Sequence, residues 1–209
     1  IGQYPSGVPD KYFIDFNKYP QFDQLPYFKN LGSVLNVDTY GYYGGSITED
    51  FNNDGFDDLA IGVPGEGYSR GRSKAGTVHV LYGSEAGLSG TGGGSFHQNT
   101  PGIPSTVEAN DLFGFSLSAG DVNGDGFDDL AVGSPGEKMG RSTNAGIAHI
   151  LYGSAAGVKG SRSSVFYQGM PGWSGKTETN DRFGEVVALG DLNEDGTADL
   201  VVGVPGEGF

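Results

Sequence analysis

The sequence predicts an all-β fold of β-propeller blades, with four short antiparallel strands per repeat. Three observations carry this. One loop pattern occurs three times, beginning at Asp50, Asp121 and Asp191, 71 and 70 residues apart. Around each copy lie short runs rich in Val, Ile, Leu and Tyr, separated by Gly, Pro and Asn turns. No stretch of comparable length has helical periodicity.

The elements follow in a fixed order. Asn110, Asp111, Phe113 and Gly114 overlay Asn180, Asp181, Phe183 and Gly184, and a short alternating run follows each set. The acidic loop comes next, between the first and second strands. An apolar run then ends in Gly-x-Pro-Gly-Glu, over Leu59 to Glu66, Leu130 to Glu137 and Leu200 to Glu207. The third strand is expected over Gly76 to Tyr82 and over Gly146 to Tyr152. The fourth is expected near Ser95, Phe96 and His97, and near Val165, Phe166 and Tyr167. A sheet of this size cannot bury both faces alone, whereas stacked neighbours can.

The first repeat differs in detail. Tyr43 and Gly44 precede Phe113 and Gly114 by 70 residues, yet Asp50 precedes Asp121 by 71. The first turn is therefore one residue shorter, and the polar loop before Gly76 is one residue longer. Length changes confined to loops keep the strands in register, where a one-residue slip would turn the buried face outward. The expected organisation is an aromatic-rich segment over 1–39, then repeats over about 40–109 and 110–179 and a partial one over 180–209. Tyr12, Phe13, Ile14 and Phe16, and then Val34, Leu35 and Val37, are strand candidates in the first segment. Two readings stay open: that segment completes the last blade and subunits assemble into a homo-oligomer, or the chain is part of a longer one.

Each loop places Asp, Asn, Asp, Gly and Asp at positions 1, 3, 5, 6 and 9. The candidate metal ligands are Asp50, Asn52, Asp54 and Asp58; Asp121, Asn123, Asp125 and Asp129; and Asp191, Asn193, Asp195 and Asp199. The backbone carbonyls of Phe56, Phe127 and Thr197 join them at position 7. Clustered oxygens suit a hard cation, and Gly55, Gly126 and Gly196 permit the sharp turn. Three Ca²⁺ sites are expected, structural in role. The loop is not an EF-hand, because Ile61, Val132 or Val202 stands where a bidentate Glu would be and a strand-like run follows it.

Composition sets limits. The formal net charge is −14, so a nucleic-acid backbone is not an expected partner. Three divalent cations would bring that figure to −8. There is no cysteine, so disulfide and thiol chemistry are excluded. No apolar run reaches membrane-spanning length. An extracellular or cell-surface location fits loops that draw on millimolar calcium.

Other residues admit two readings each. His79, His149 and His97 could gather zinc, or pack within strands with a hydrogen-bonded ring. Glu66, Glu137 and Glu207 could be glycosidase acids, or supports between neighbouring blades. Arg70, Arg72, Lys74, Lys138 and Arg141 could receive an acidic glycan or protein patch, or form a solvated face. Trp173, Tyr167 and Met170 could stack on sugar, or pack between blades.

The units resemble FG-GAP repeats, the blades of integrin alpha-chain propellers and their secreted bacterial relatives. Phe113, Gly114, Ser116 and Leu117, and Phe183 with Gly184, look like the first half of that motif. Gly62 to Gly65, Gly133 to Gly136 and Gly203 to Gly206 look like the second. Leu81 to Ser84 and Leu151 to Ser154 are similar to the bacterial versions. The match covers about 40–209. The resemblance implies a calcium-stabilised, exported, non-enzymatic propeller used in adhesion-like binding or assembly, with an unidentified protein or glycan ligand. A calcium-dependent lectin is one alternative. A noncatalytic segment of a secreted hydrolase is another, since related repeats accompany a phospholipase whose catalytic domain lies outside them.

Overall fold

The computed structural model describes residues 44–208, apart from positions 70, 162 and 174. The strand candidates at Tyr12 to Phe16 and Val34 to Val37, together with Tyr43 and Arg70, lie outside the described residues. The first sheet comprises β1 (Ser46–Glu49), β2 (Asp58–Val63), β3 (Thr77–Tyr82) and β4 (Ser89–Phe96), in that order. The second comprises β5 (Leu117–Gly120), β6 (Asp129–Ser134), β7 (Ile147–Leu151) and β8 (Ser164–Phe166), again in order. β9 (Val186–Gly190) and β10 (Asp199–Gly203) form a two-stranded sheet. All pairings within the sheets are antiparallel, and the described residues contain no helix.

The first strands stand side by side, β5 against β1 and β9 against β5. This arrangement explains why β6, between two neighbours, is buried along its whole length. Strands covered on both faces read as continuous apolar runs rather than alternating ones. The core lies between sheets. One cluster joins Phe51, Val78, Val80 and Phe96 of the first blade to Leu130, Val132 and Leu151 of the second. Another joins Ala131, Ala148 and Ile150 to Phe183 and Val187 of the third repeat.

Phe113 and Phe183 are the plugs at these junctions. Each forms a parallel bridge to the preceding blade, at Gly76 and Gly146. Each is buried, an apolar gain of about 2–3 kcal/mol per ring. The turn carrying each ring comes so close that a Cβ on Gly62 would lie 2.0 Å from the Gly114 carbonyl oxygen. A Cβ on Gly133 would lie 1.9 Å from that of Gly184. Across the same junction the Tyr82 hydroxyl accepts a hydrogen bond from the Val158 N–H at 2.8 Å.

Register is maintained despite the shorter first turn. Glu49 faces Asp58, Gly120 faces Asp129 and Gly190 faces Asp199. The fourth strands differ from expectation. β4 begins at Ser89, well before Ser95, and neither His97 nor Tyr167 belongs to a strand. Its Gly92 to Gly94 run lies outside the expected strand. In the fold it is needed because a Cβ on Gly93 would meet the Val80 carbonyl oxygen at 2.3 Å. A bulge between Val80 and Tyr82 absorbs the resulting register shift.

Gly133→Ala should therefore force the second and third repeats apart. We expect a loss of about 3 kcal/mol, read as a fall in melting temperature of roughly 10 °C. Gly190→Ala meets nothing within 4 Å and should leave the melt nearly unchanged.

Candidate metal centre

The three acidic loops link β1 to β2, β5 to β6 and β9 to β10. All three share one hydrogen-bond frame. The side-chain oxygens at positions 1 and 3 accept from the same backbone N–H, that of position 5. The distances are 3.0 and 2.9 Å from Asp54, 3.2 and 2.8 Å from Asp125, and 3.1 and 2.9 Å from Asp195. The other oxygen at position 1 accepts from the glycine N–H at 2.8 Å in each loop. The position 5 carboxylate accepts from the N–H of Phe56, Phe127 or Thr197. Gly55, Gly126 and Gly196 all take positive φ, between 85° and 91°, with open space around them. They are therefore required by the turn, not by crowding.

The ninth position has a different task. Asp58 and Asp129 are buried, and each spans two segments. One oxygen accepts from the N–H of Phe51 or Val122 at the loop entrance, at 3.0 Å. The other accepts from Gly83 or Gly153 at the end of the third strand, at 2.8 and 2.9 Å. Asp199 makes the first of these bonds, to Leu192, at 3.0 Å. Thus the structure brings positions 1, 3 and 5 into one turn, and turns position 9 toward the sheet. Among the described residues no three acidic or histidine side chains converge as a finished metal cage.

Electrostatics separates the two kinds of carboxylate. Burial raises Asp58 and Asp129 to about 6, against their backbone donors, and the nearby loop carboxylates add to the rise. Burial also pushes Asp121 up, but four backbone N–H groups outweigh it and hold the group below its ordinary value. Asp195 is lowered by the Thr197 side chain and backbone. The first two loops touch, through Asn53 Nδ2 donating to the Gly126 carbonyl at 3.2 Å. Glu49 and Asp128, between them, are raised by burial and then by like charges. The donor set fits a hard divalent cation: carboxylates crowd one another, and their hydrogen-bond donors are neutral.

The remaining candidates separate. His79 and His149 are buried within β3 and β7. His79 Nδ1 meets Ser95 Oγ at 2.8 Å, and His149 Nε2 meets the Pro104 carbonyl at 3.2 Å. His97 lies apart from both, its ring 4.5 Å from that of Tyr68, and Arg72 sits 6.0 Å over Tyr68. Trp173 is 37% exposed, with its ring 6.0 Å from Phe166 and 5.7 Å from Phe183. That contact makes it packing between the second and third repeats. Glu137 and Glu207 accept from Gln98 and Gln168, each at 2.5 Å. These two glutamines were not singled out in the sequence. Their signal was available, because Gln98 with Pro101 and Gly102 recurs 70 residues later as Gln168 with Pro171 and Gly172.

The FG-GAP repeat profile matches residues 41–81, 113–151 and 183–209. The chain is 33% identical to mouse phosphatidylinositol-glycan-specific phospholipase D, over 75% of this chain and 17% of that protein. It is 29% identical to the Dictyostelium discoideum protein of the same name, over 84% of this chain and 19% of the other. It is 30% identical to Xenopus laevis integrin alpha-5, over 90% of this chain and 16% of the integrin. The chain thus spans less than one fifth of the length of these relatives.

Two substitutions should distinguish the two kinds of loop acid in metal-free buffer. Asp129→Asn sets an amide against one of two buried N–H groups and should cost about 1–3 kcal/mol. Asp125→Asn, in the exposed turn, should stay within about 0.5 kcal/mol of the parent in chemical denaturation.

Proposed function

Because the chain belongs to the FG-GAP repeat family, we propose that it is a calcium-stabilised, extracellular binding or assembly module with no catalysis of its own. One observation carries the reading. Three separate loops hold the oxygens of positions 1 and 3 on a single N–H, with the same partners each time. Asp50, Asn52, Asp54, Asp121, Asn123, Asp125, Asp191, Asn193 and Asp195 would hold three Ca²⁺ ions, with the carbonyls of Phe56, Phe127 and Thr197. Asp58, Asp129 and Asp199 complete each set, and the first two tie it to the end of the third strand. A bound cation supplies positive charge where the loops gather only negative charge.

The binding role follows from what the other polar groups do. His79 and His149 are committed to packing, and Glu137 and Glu207 to glutamine partners. The partner is a protein or a glycan, and the net charge of −14 disfavours nucleic acid. No helix among the described residues is long and apolar enough to cross a membrane. Similarity to phosphatidylinositol-glycan-specific phospholipase D supports a second reading, a noncatalytic propeller segment of a secreted hydrolase. Both readings are noncatalytic, and phospholipase activity of the isolated chain would overturn both.

Calcium saturation should raise the melting temperature, since a ligand at a hundred times its dissociation constant adds about 2.7 kcal/mol per site. Native mass spectrometry should show three ions per chain, and two for Asp125→Asn. A melt indifferent to excess chelator, starting from calcium-loaded protein, would overturn the proposal.

A further inference from the structure

The end of the molecule away from the acidic loops carries a second repeated polar feature. The crossover from β4 to β5 is gripped by both blades. Asn110, Leu112 and Phe113 donate their N–H groups to Ser73, Lys74 and Ala75 of the first blade. On the second-blade side, Gly136 donates to the Asp111 carbonyl, His149 meets Pro104, and Glu137 receives Gln98 Nε2 and Ser105 Oγ. Gln98 and Glu137 are both buried.

This junction is short of hydrogens. Glu137 offers two oxygens and Gln98 a third, and Gln98 Oε1 is buried with no donor. The donors at hand are the Gln98 amide and the Ser105 hydroxyl. The charged groups that reach Glu137 are Asp111 and then Glu108, both carboxylates. His149, across the same crossover, is lowered to about 4 by burial and brings no charge near neutral pH. A proton on Glu137 adds a donor to this set and removes a buried charge that meets only neutral donors.

We propose that Glu137 is the neutral acid in the folded protein and latches the first crossover to the second blade, a contact that tightens as pH falls below neutral. Burial, followed by Asp111, raises the group to about 7 from its ordinary 4.5. A value raised by folding gives stability that is complete below about pH 4.5 and is lost as pH rises through about 7. Asp111, raised to about 6 by burial, titrates beside it, so the window belongs to the pair. Glu207 pairs with Gln168 in the same way, and Gln168 Oε1 likewise has no donor, but Glu207 is exposed where Glu137 is buried, with Gly175 in place of Ser105, and so serves as the control for burial.

The test is thermal melting of the whole chain from pH 5.5 to 8 at fixed free calcium, for the parent, Glu137→Gln and Glu207→Gln. Glu137→Gln keeps the shape and removes the proton site. Across that range the parent should lose roughly 10–100-fold in folding equilibrium relative to it, read as about 5 °C. Glu207→Gln should track the parent. Parallel profiles for the parent and Glu137→Gln would overturn the latch. Should Glu137→Gln not fold, ¹³C NMR of the glutamate carboxyls in the parent decides. One carboxyl titrating near neutral supports the proposal, and completion of all by about pH 5.5 overturns it.

Discussion

The contact on which the rest depends is bare backbone against bare backbone. The Gly114 and Gly184 carbonyls occupy the space where Gly62 and Gly133 would carry a side chain. Blade spacing is thereby set without any side chain acting as a spacer. That spacing lets Phe113 and Phe183 reach under the preceding sheet and close the core there. It also aligns the sheets so that their acidic loops lie at one end and their crossovers at the other. Both candidate features, the loops and the junction acid, inherit their positions from this one approach.

The loops are joined to that core by a single residue type. Asp58 and Asp129 take an N–H from the loop entrance and one from the end of the third strand. Whatever happens to the charge in the loop is therefore felt at the edge of β3 or β7. Buried carboxylates with only neutral donors are costly when ionised, and the cost grows with each like charge nearby. A cation in the turn would relieve this repulsion at source. The acids at positions 1 and 5, half-buried or exposed, already have backbone donors, so they can gather charge at small cost to the fold. The division between anchoring and gathering acids follows from burial alone.

The repeat period, strand order and loop positions were legible in the sequence because each depends on local chemistry: turn glycines, apolar runs and spaced acids. The fourth strand was less so. Ser89 to Gly94 has no β-formers beyond Thr91, and it pairs because β3 offers a free edge that glycine can approach closely. Contacts across junctions were harder still. Nothing local marks Tyr82 as the acceptor for Val158, 76 residues away. Gln98 and Gln168 were hidden in turns whose more conspicuous residues were Pro and Gly. The acids Asp58, Asp129 and Asp199 were found as loop members, while the bonds of the first two to the end of the third strand required the fold.

The third repeat shows what neighbours contribute. Position 2 of the loop is Phe51, Val122 and Leu192 in turn; the first is buried, the second half-buried, and the third 70% exposed. Ala60 and Ala131 are buried, whereas Val201 at the matching place is 46% exposed. The residues stay apolar while their cover disappears, so burial here belongs to the junction and not to the strand. In such a chain stability accrues junction by junction, as in other repeat proteins. A change at one interface acts first on the two repeats that share it. The acidic loops and the Glu137 crossover lie at opposite ends of the same sheets. With a cation bound as proposed, acidification would work against the loops and in favour of a buried neutral acid, so the two ends would respond to pH with opposite sign.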